Sequence, residues 1–292
     1  MKNTRRPKCL TAVVTTALLA SAGLSCARRG PARNTQSDLI VFSHIDKAWA
    51  HSRGANVTVA VIDWQFDPNA EAAAKFVFAA SMVPGERMGD LKPWHGAWMV
   101  NLVHHIAPEA RIIPIIGRSL KHAHYQESLV QGIRYAAERG AVAVTSSMGS
   151  ATSSQALRDA VDFAEQRGTL FVDVHPENVA ASGEKVRMCG AGECDGRIVH
   201  AGVVSVPEHP VKPHPSRDVY TWPYDLDANF EDGWGFSNGP PIVGGVIALM
   251  KSANPRLSPV QLRQLLVQTA FDREGFKVLD AEAAVNAAIA IR

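Results

Sequence analysis

The chain has 292 residues, 46% of them hydrophobic and 20% charged, a globular composition with enough apolar side chains for one large core. Its 30 basic and 28 acidic residues nearly cancel to a net charge of +2, and several of the basic ones lie in the first 33 positions. Beyond that point no basic run suggests nucleic acid, and that class of partner is set aside.

In chain order, Lys2, Arg5, Arg6 and Lys8 precede an apolar stretch from Leu10 to Leu24, with small residues Ser21, Ala22, Gly23 and Ser25 in or after it. The stretch is short for a membrane span, and the pattern over residues 1–26 is that of a secretory signal peptide, which predicts export. Cys26 follows Gly23-Leu24-Ser25, which resembles a bacterial lipoprotein cleavage site with Gly23 where a large aliphatic residue is usual. A lipid on Cys26 would tether the chain to a membrane surface. Residues 27–38 read as a polar lead-in, and residues 39–292 as one domain.

Within that domain strand-like and helix-like segments alternate. Buried strands are predicted over Val57–Ile62, Arg111–Ile116, Ala141–Thr145, Leu170–Val174 and Ile198–Val206, each rich in apolar or β-branched residues. Helices are predicted over Ala97–Ile106, Gln126–Arg139, Ser154–Gln166, Pro241–Ser252, Pro259–Ala270 and Ala281–Ile289. The second and third stop at Gly140 and Gly168, and Ser258-Pro259 is a cap followed by proline in the first turn. Such alternation predicts an α/β fold in three layers, with a mostly parallel sheet flanked by helices.

Cys189 and Cys194 lie in Cys-Gly-Ala-Gly-Glu-Cys. In an exported chain an even pair at this short spacing points to a disulfide closing a small loop. As metal ligands the two would supply only half a tetrahedral zinc shell. His104 and His105 are adjacent and so face different sides of a helix, which argues against a shared metal, also with His122 and His124 nearby. Asp225, Asp227, Glu231 and Asp232 suit calcium in ligand type but lack a recognisable ligand spacing. No cofactor is implied: the acidic stretch reads as a solvated loop, and structural calcium has no clear motif to support it.

Three short segments carry the chemistry. Val57-Thr58-Val59-Ala60-Val61-Ile62-Asp63 is a buried strand ending in an acid, where α/β active sites assemble. His95-Gly96-Ala97 places a histidine at a helix start, and Gly235-Phe236-Ser237-Asn238-Gly239-Pro240-Pro241 sets a serine in a turn leading into a helix. The carboxylate could hold the imidazole in one tautomer, and the imidazole could take the serine proton. The serine's own N–H, near a helix start, could face a developing oxyanion. Gly235 to Gly239 also fits G-x-S-x-G, but no histidine follows Ser237, which excludes the α/β-hydrolase order.

The acid, histidine, serine order is that of subtilisin, and further segments resemble the subtilisin-like serine-peptidase (subtilase, S8) family. Ile45-Asp46-Lys47-Ala48-Trp49 resembles the family's approach to its acid, and Ala107-Pro108-Glu109-Ala110 its "APxA" turn. Thr145-Ser146-Ser147-Met148-Gly149 resembles its "NxSxG" strand end, and Pro241-Ile242-Val243-Gly244-Gly245 its "PxVAG" helix. The resemblance runs from about Ile45 to Ala270. It implies a serine endopeptidase in which Asp63, His95 and Ser237 form the triad and Ser147, Met148 and Gly149 pair with an extended peptide. The partner would be a peptide or protein substrate, and the chain a monomer.

The neighbours depart from the family pattern. Trp64 and Gln65 stand where "DTG" or "DSG" is usual; His95 is followed by Gly96-Ala97-Trp98-Met99 in place of "GTHV"; and Phe236, Asn238, Gly239 and Pro240 replace most of "GTSMASP". The oxyanion asparagine falls on Asn178 by a one-residue slip and on Glu177 without one. An amide donor suits the chemistry and a carboxylate does not, so Asn178 is the candidate. The alternative function is a catalytically weak or inactive subtilisin-like fold that binds peptides as an exported interaction module.

Overall fold

The computed structural model describes residues 36–92, 94–119, 125–149, 154–174, 195–203, 218–221, 236–273 and 275–292. All of them belong to one compact unit, Arg33–Arg292. The chain opens with two short helices, α1 (Gln36–Phe42) and α2 (Ile45–Ala48), so α1 begins inside the stretch expected to be a polar lead-in. Then come β1 (Thr58–Asp63), a 3-10 turn at Glu71–Lys75, β2 (Ala80–Ser81), α3 (His95–Ile106), β3 (Arg111–Ile116) and α4 (Tyr125–Glu138). β4 (Ala143–Ser146), α5 (Gln155–Gln166), β5 (Leu170–Val174), β6 (Val199–Val203) and β7 (Val219–Thr221) follow. A 3-10 turn at Phe236–Asn238 leads into α6 (Gly239–Ala253), then α7 (Pro259–Thr269), β8 (Phe271–Arg273), β9 (Phe276–Val278) and α8 (Ala281–Ala290).

Among the described residues nine strands form one sheet in the order β2-β3-β1-β4-β5-β6-β7-β9-β8. Every pairing is parallel except the β8–β9 hairpin. Parallel strands are covered on both faces, which is why β1 and β4 are buried at every position instead of alternating. Val59 and Val61 join the core beneath α3, α6, α7 and α8; Ala60 and Ile62 join the one beneath α4 and α5. The result is three layers, helix–sheet–helix.

Caps hold several helices where the sequence predicts their starts. Ser154 accepts from the Leu157 N–H, and Ser258 and Gln261 close a capping box around Pro259. The most enclosed helix is α6, buried without interruption from Gly239 to Met250. Its glycines permit that depth. A Cβ on Gly239 would meet the Ala201 carbonyl oxygen at 2.9 Å, one on Gly244 the Thr145 Cγ2 at 2.4 Å, and one on Gly245 the Ile106 Cβ at 2.6 Å. Pro240 and Pro241 sit in the first turn, where an N–H would lack a partner anyway.

Gly244→Ala drives a methyl into Thr145 and should cost about 1–3 kcal/mol, as overpacking does. In thermal unfolding this reads as a fall of roughly 2–4 °C per kcal/mol. Adding Thr145→Ser, which removes the opposing methyl, should recover part of the loss.

Candidate active site

The sheet order reverses around β1, which lies between β3 and β4 and ends in Asp63. Crevices form at the carboxyl ends of strands at such a switch point. Asp63 is fully buried, and its carbonyl accepts the Gly117 N–H at 2.8 Å, so pairing with the β3 strand end holds its backbone. Its Oδ1 accepts the Trp64 N–H at 2.7 Å.

His95, the first residue of α3, faces this carboxylate with Nδ1 2.8 Å from Oδ1 and 3.0 Å from Oδ2. A carboxylate only accepts, so Nδ1 carries the proton and Nε2 is left as the basic nitrogen. α3 has no side-chain cap at its start. Instead the carbonyl of Gln65 accepts the Gly96 N–H at 2.9 Å and fastens the helix to the residues after Asp63. Glycine is required there, because a Cβ would lie 2.6 Å from the Phe66 ring and 2.7 Å from that carbonyl.

Gln65 is buried and holds more than the helix. Its Oε1 accepts the Gly89 N–H at 3.1 Å, and its Nε2 donates to Glu86 Oε2 at 3.4 Å. Ser119 donates to the other oxygen of Glu86, so a buried polar set backs the Asp63–His95 pair. Over the pair lie aromatic rings. The Trp64 indole stacks on the imidazole with centroids 5.4 Å apart and 24° between planes; Trp98 meets it edge-on at 6.2 Å. The Arg118 guanidinium lies 5.3 Å from the Trp64 ring centroid.

Burial opposes charge on the imidazole, but the charge of Asp63 and its hydrogen bond together outweigh it. The His95 pKa is therefore raised above its ordinary 6.5, although the positive Arg118 opposes this.

Ser237 sits in the 3-10 turn that opens into α6, and this turn packs against α3 and β6. Its carbonyl accepts the Ser147 hydroxyl at 2.7 Å, with the Met99 sulfur of α3 3.3 Å from the same hydroxyl. Ser147 and Met148 are buried just beyond β4, and Gly149 takes a φ of 72°, in the left-handed region that favours glycine. The structure thus joins Asp63 directly to His95, and Ser237 directly to Ser147.

Cys26, Glu177, Asn178, Cys189, Cys194, His122, His124 and the acidic Asp225–Asp232 stretch lie outside the described residues. His105 pairs with Glu71, Nε2 to Oε2 at 2.8 Å, and not with His104. Among the described residues no group of three His, Cys, Asp or Glu side chains could hold a metal ion. Sequence reasoning missed the stacking of Trp64, the double tie made by Gln65 and the hold of Ser147 on Ser237. The first two had a signal, since Trp64 and Gln65 depart from the small residues the resemblance leads one to expect.

A parallel sheet in this order, with an acid–histidine pair at the switch point and a buried helix after the serine, defines a subtilisin-like α/β fold. A solved protease from Pseudoalteromonas arctica has the same fold, with a TM-score of 0.67 and 20% identity over 84% of this chain and 94% of that one. The subtilase family model matches residues 178–287, a range that holds Ser237 and α6. M-protease of Shouchella clausii is 28% identical over 257 residues, and Subtilisin DY of Bacillus licheniformis 27% over 244. These alignments cover 78% and 77% of this chain, but 63% of M-protease and 88% of Subtilisin DY. These matches support a divergent member of the subtilase family, to which the chain is similar over most of its length.

The Asp63–His95 pair has a thermodynamic signature. The folded-state pKa of His95 is the raised one, so the pair's contribution is fully present below pH 6.5 and is lost as pH rises through the folded value. The Tm difference between the parent and His95→Gln should be largest below about pH 6.5 and shrink above it, measured by calorimetry across pH.

Proposed function

We propose that the protein is a serine endopeptidase working through an acyl-enzyme, with Ser237 as nucleophile, His95 as general base and Asp63 as the group that orients and charges the imidazole. The observation that carries this reading is the buried Asp63–His95 contact, in which Nδ1 meets both carboxylate oxygens. Such a pair holds the neutral imidazole in the tautomer that can accept a proton at Nε2, and stabilises the imidazolium that results.

The steps balance as follows. Ser237 Oγ attacks the peptide carbonyl while its proton passes to His95 Nε2. The tetrahedral oxyanion collapses, the C–N bond breaks, and the amine leaves with the proton from Nε2. Water then repeats the sequence on the Ser237 ester and releases the acid. One oxyanion donor would be the Ser237 N–H at the approach to α6; Asn178 would supply the second. The backbone of Ser147, Met148 and Gly149 would take an extended peptide as an added strand. The signal-like segment over residues 1–26 supports export, and a lipid on Cys26 would keep the exported chain at the membrane surface.

A fluorophosphonate probe, followed by peptide mass mapping, tests the nucleophile. A stoichiometric adduct is expected on Ser237, absent from Ser237→Ala and slowed by about 10⁴-fold in Asp63→Asn, which favours the wrong tautomer. No adduct on the folded parent would remove the catalytic claim and leave a peptide-binding module. The labelling rate should rise with pH to a plateau whose midpoint lies above 6.5, because the base must lose the proton that Asp63 helps it hold. Ser147→Ala should lower that plateau by releasing the Ser237 carbonyl, and cost about 1 kcal/mol of stability in denaturant unfolding.

A further inference from the structure

We propose that Trp64 is a positioning residue for the Asp63–His95 pair: its backbone N–H holds the carboxylate, and its indole, stacked on the imidazole, fixes that ring against it. The inference rests on the peptidase reading for its consequence in catalysis, but its geometry stands apart from it.

A single residue makes both contacts. The Trp64 N–H donates to Asp63 Oδ1 at 2.7 Å, and the ring lies 5.4 Å from the imidazole at 24°. That spacing and tilt fall within the range of an offset aromatic stack. The carboxylate bond restrains rotation about the His95 Cβ–Cγ bond through Nδ1, and a flat indole against one face stiffens that restraint. It also keeps water from the Asp63–His95 bond, whose strength depends on a dry setting. The usual threonine or serine after the acid is too small to cover an imidazole. The indole Nε1 is buried and has no hydrogen-bond partner among the described residues. The ring is therefore held for its face and not for its N–H.

The ring also responds to charge. An imidazolium over an indole is favoured by the ring quadrupole. The Arg118 guanidinium, 5.3 Å from that ring, is drawn to it too and opposes a second positive charge nearby. Trp64 thus holds a cation close to the base, with the two acting in opposite directions on its protonation. Among the described residues, the charged groups acting on His95 are Asp63 at the end of β1 and Arg118 after β3. Glu86 is turned to Ser119 and Gln65, and Lys92 sits on the neighbouring Trp94 ring at 4.3 Å. The 3-10 turn before α6 brings Ser237 and no ionisable side chain.

His95 Cε1–H resonances, followed by NMR across pH in the full mature chain, give a readout that needs no activity. Trp64→Ala opens the pair to water and removes the indole face that favours the imidazolium; burial relents, but so do the charge and hydrogen bond of Asp63 that together outweigh it, so the titration midpoint should fall toward 6.5. Arg118→Gln should move it the other way, upward. The plateau rate of fluorophosphonate labelling at Ser237 should fall roughly 10–100-fold in Trp64→Ala, the scale of a misplaced catalytic group. Trp64→Phe, which restores an aromatic face, should recover most of that loss. A residue that only filled space would lower Tm and leave the midpoint where it was. A folded Trp64→Ala with the parental midpoint and plateau rate overturns the proposal. If Trp64→Ala fails to fold, Trp64→Leu, which keeps bulk without an aromatic face, gives the same reading, and a parental midpoint and plateau rate in it overturn the proposal. If the parent itself is not labelled, the peptidase reading falls, and the NMR midpoints still decide for or against Trp64.

Discussion

The parallel pairing of β1 with β3 on one side and β4 on the other is the constraint from which the site follows. It buries six consecutive residues and brings the last, Asp63, to the strand end where the sheet order reverses. An unpaired carboxylate at that depth would be costly. Asp63 is therefore ringed by donors: the Trp64 N–H on one side and His95 Nδ1 on the other. The histidine is as much the price of burying the acid as the acid is the means of orienting the histidine. The two cannot be separated energetically, and this is why the rest of the site is built around keeping them together.

Three further elements meet this strand end. α3 is tied to it by the Gly96 N–H on the Gln65 carbonyl, and Gln65 reaches on to Gly89 and Glu86. α6 brings the Ser237 turn, and can do so only because Gly239, Gly244 and Gly245 let it run against β6, β4 and α3 without a side chain between. The residue after β4, Ser147, then ties the turn to the sheet by its hydroxyl. Each tie joins segments far apart in the chain, so displacement of one element is transmitted to the others through these hydrogen bonds.

The departures from the family pattern fall into place in this setting. Trp64 and Gln65, which replace two small residues, are not loose substitutions: one covers the imidazole and the other reaches with its side-chain amide to Gly89 and Glu86. Their bulk turns a turn beside the acid into a supporting layer. Sequence comparison marks these positions only as mismatches, because it scores identity and not the contacts that a larger side chain creates.

Much of the frame was legible from residue order alone. β3 and β5 begin and end where their apolar runs do, and α5 and α7 start at the Ser154 and Ser258 caps, because burial and capping act over a few neighbouring residues. The acid, the histidine and the serine stood out by order and setting. The short β2, β7, β8 and β9, of two or three residues each, did not, since so few residues show no period and exist as strands only through their partners. Nor could α1 be seen to begin at Gln36. The sequence by itself determined which segments must be buried and which three residues could share a reaction, because periodicity and residue chemistry are local. Only the tertiary structure decided that Asp63 meets His95 through Nδ1, that Trp64 lies flat on the imidazole and that Ser147 holds the Ser237 carbonyl. Those contacts span 32, 31 and 90 positions of chain, and no local rule sets the orientation of a side chain toward a partner that far away.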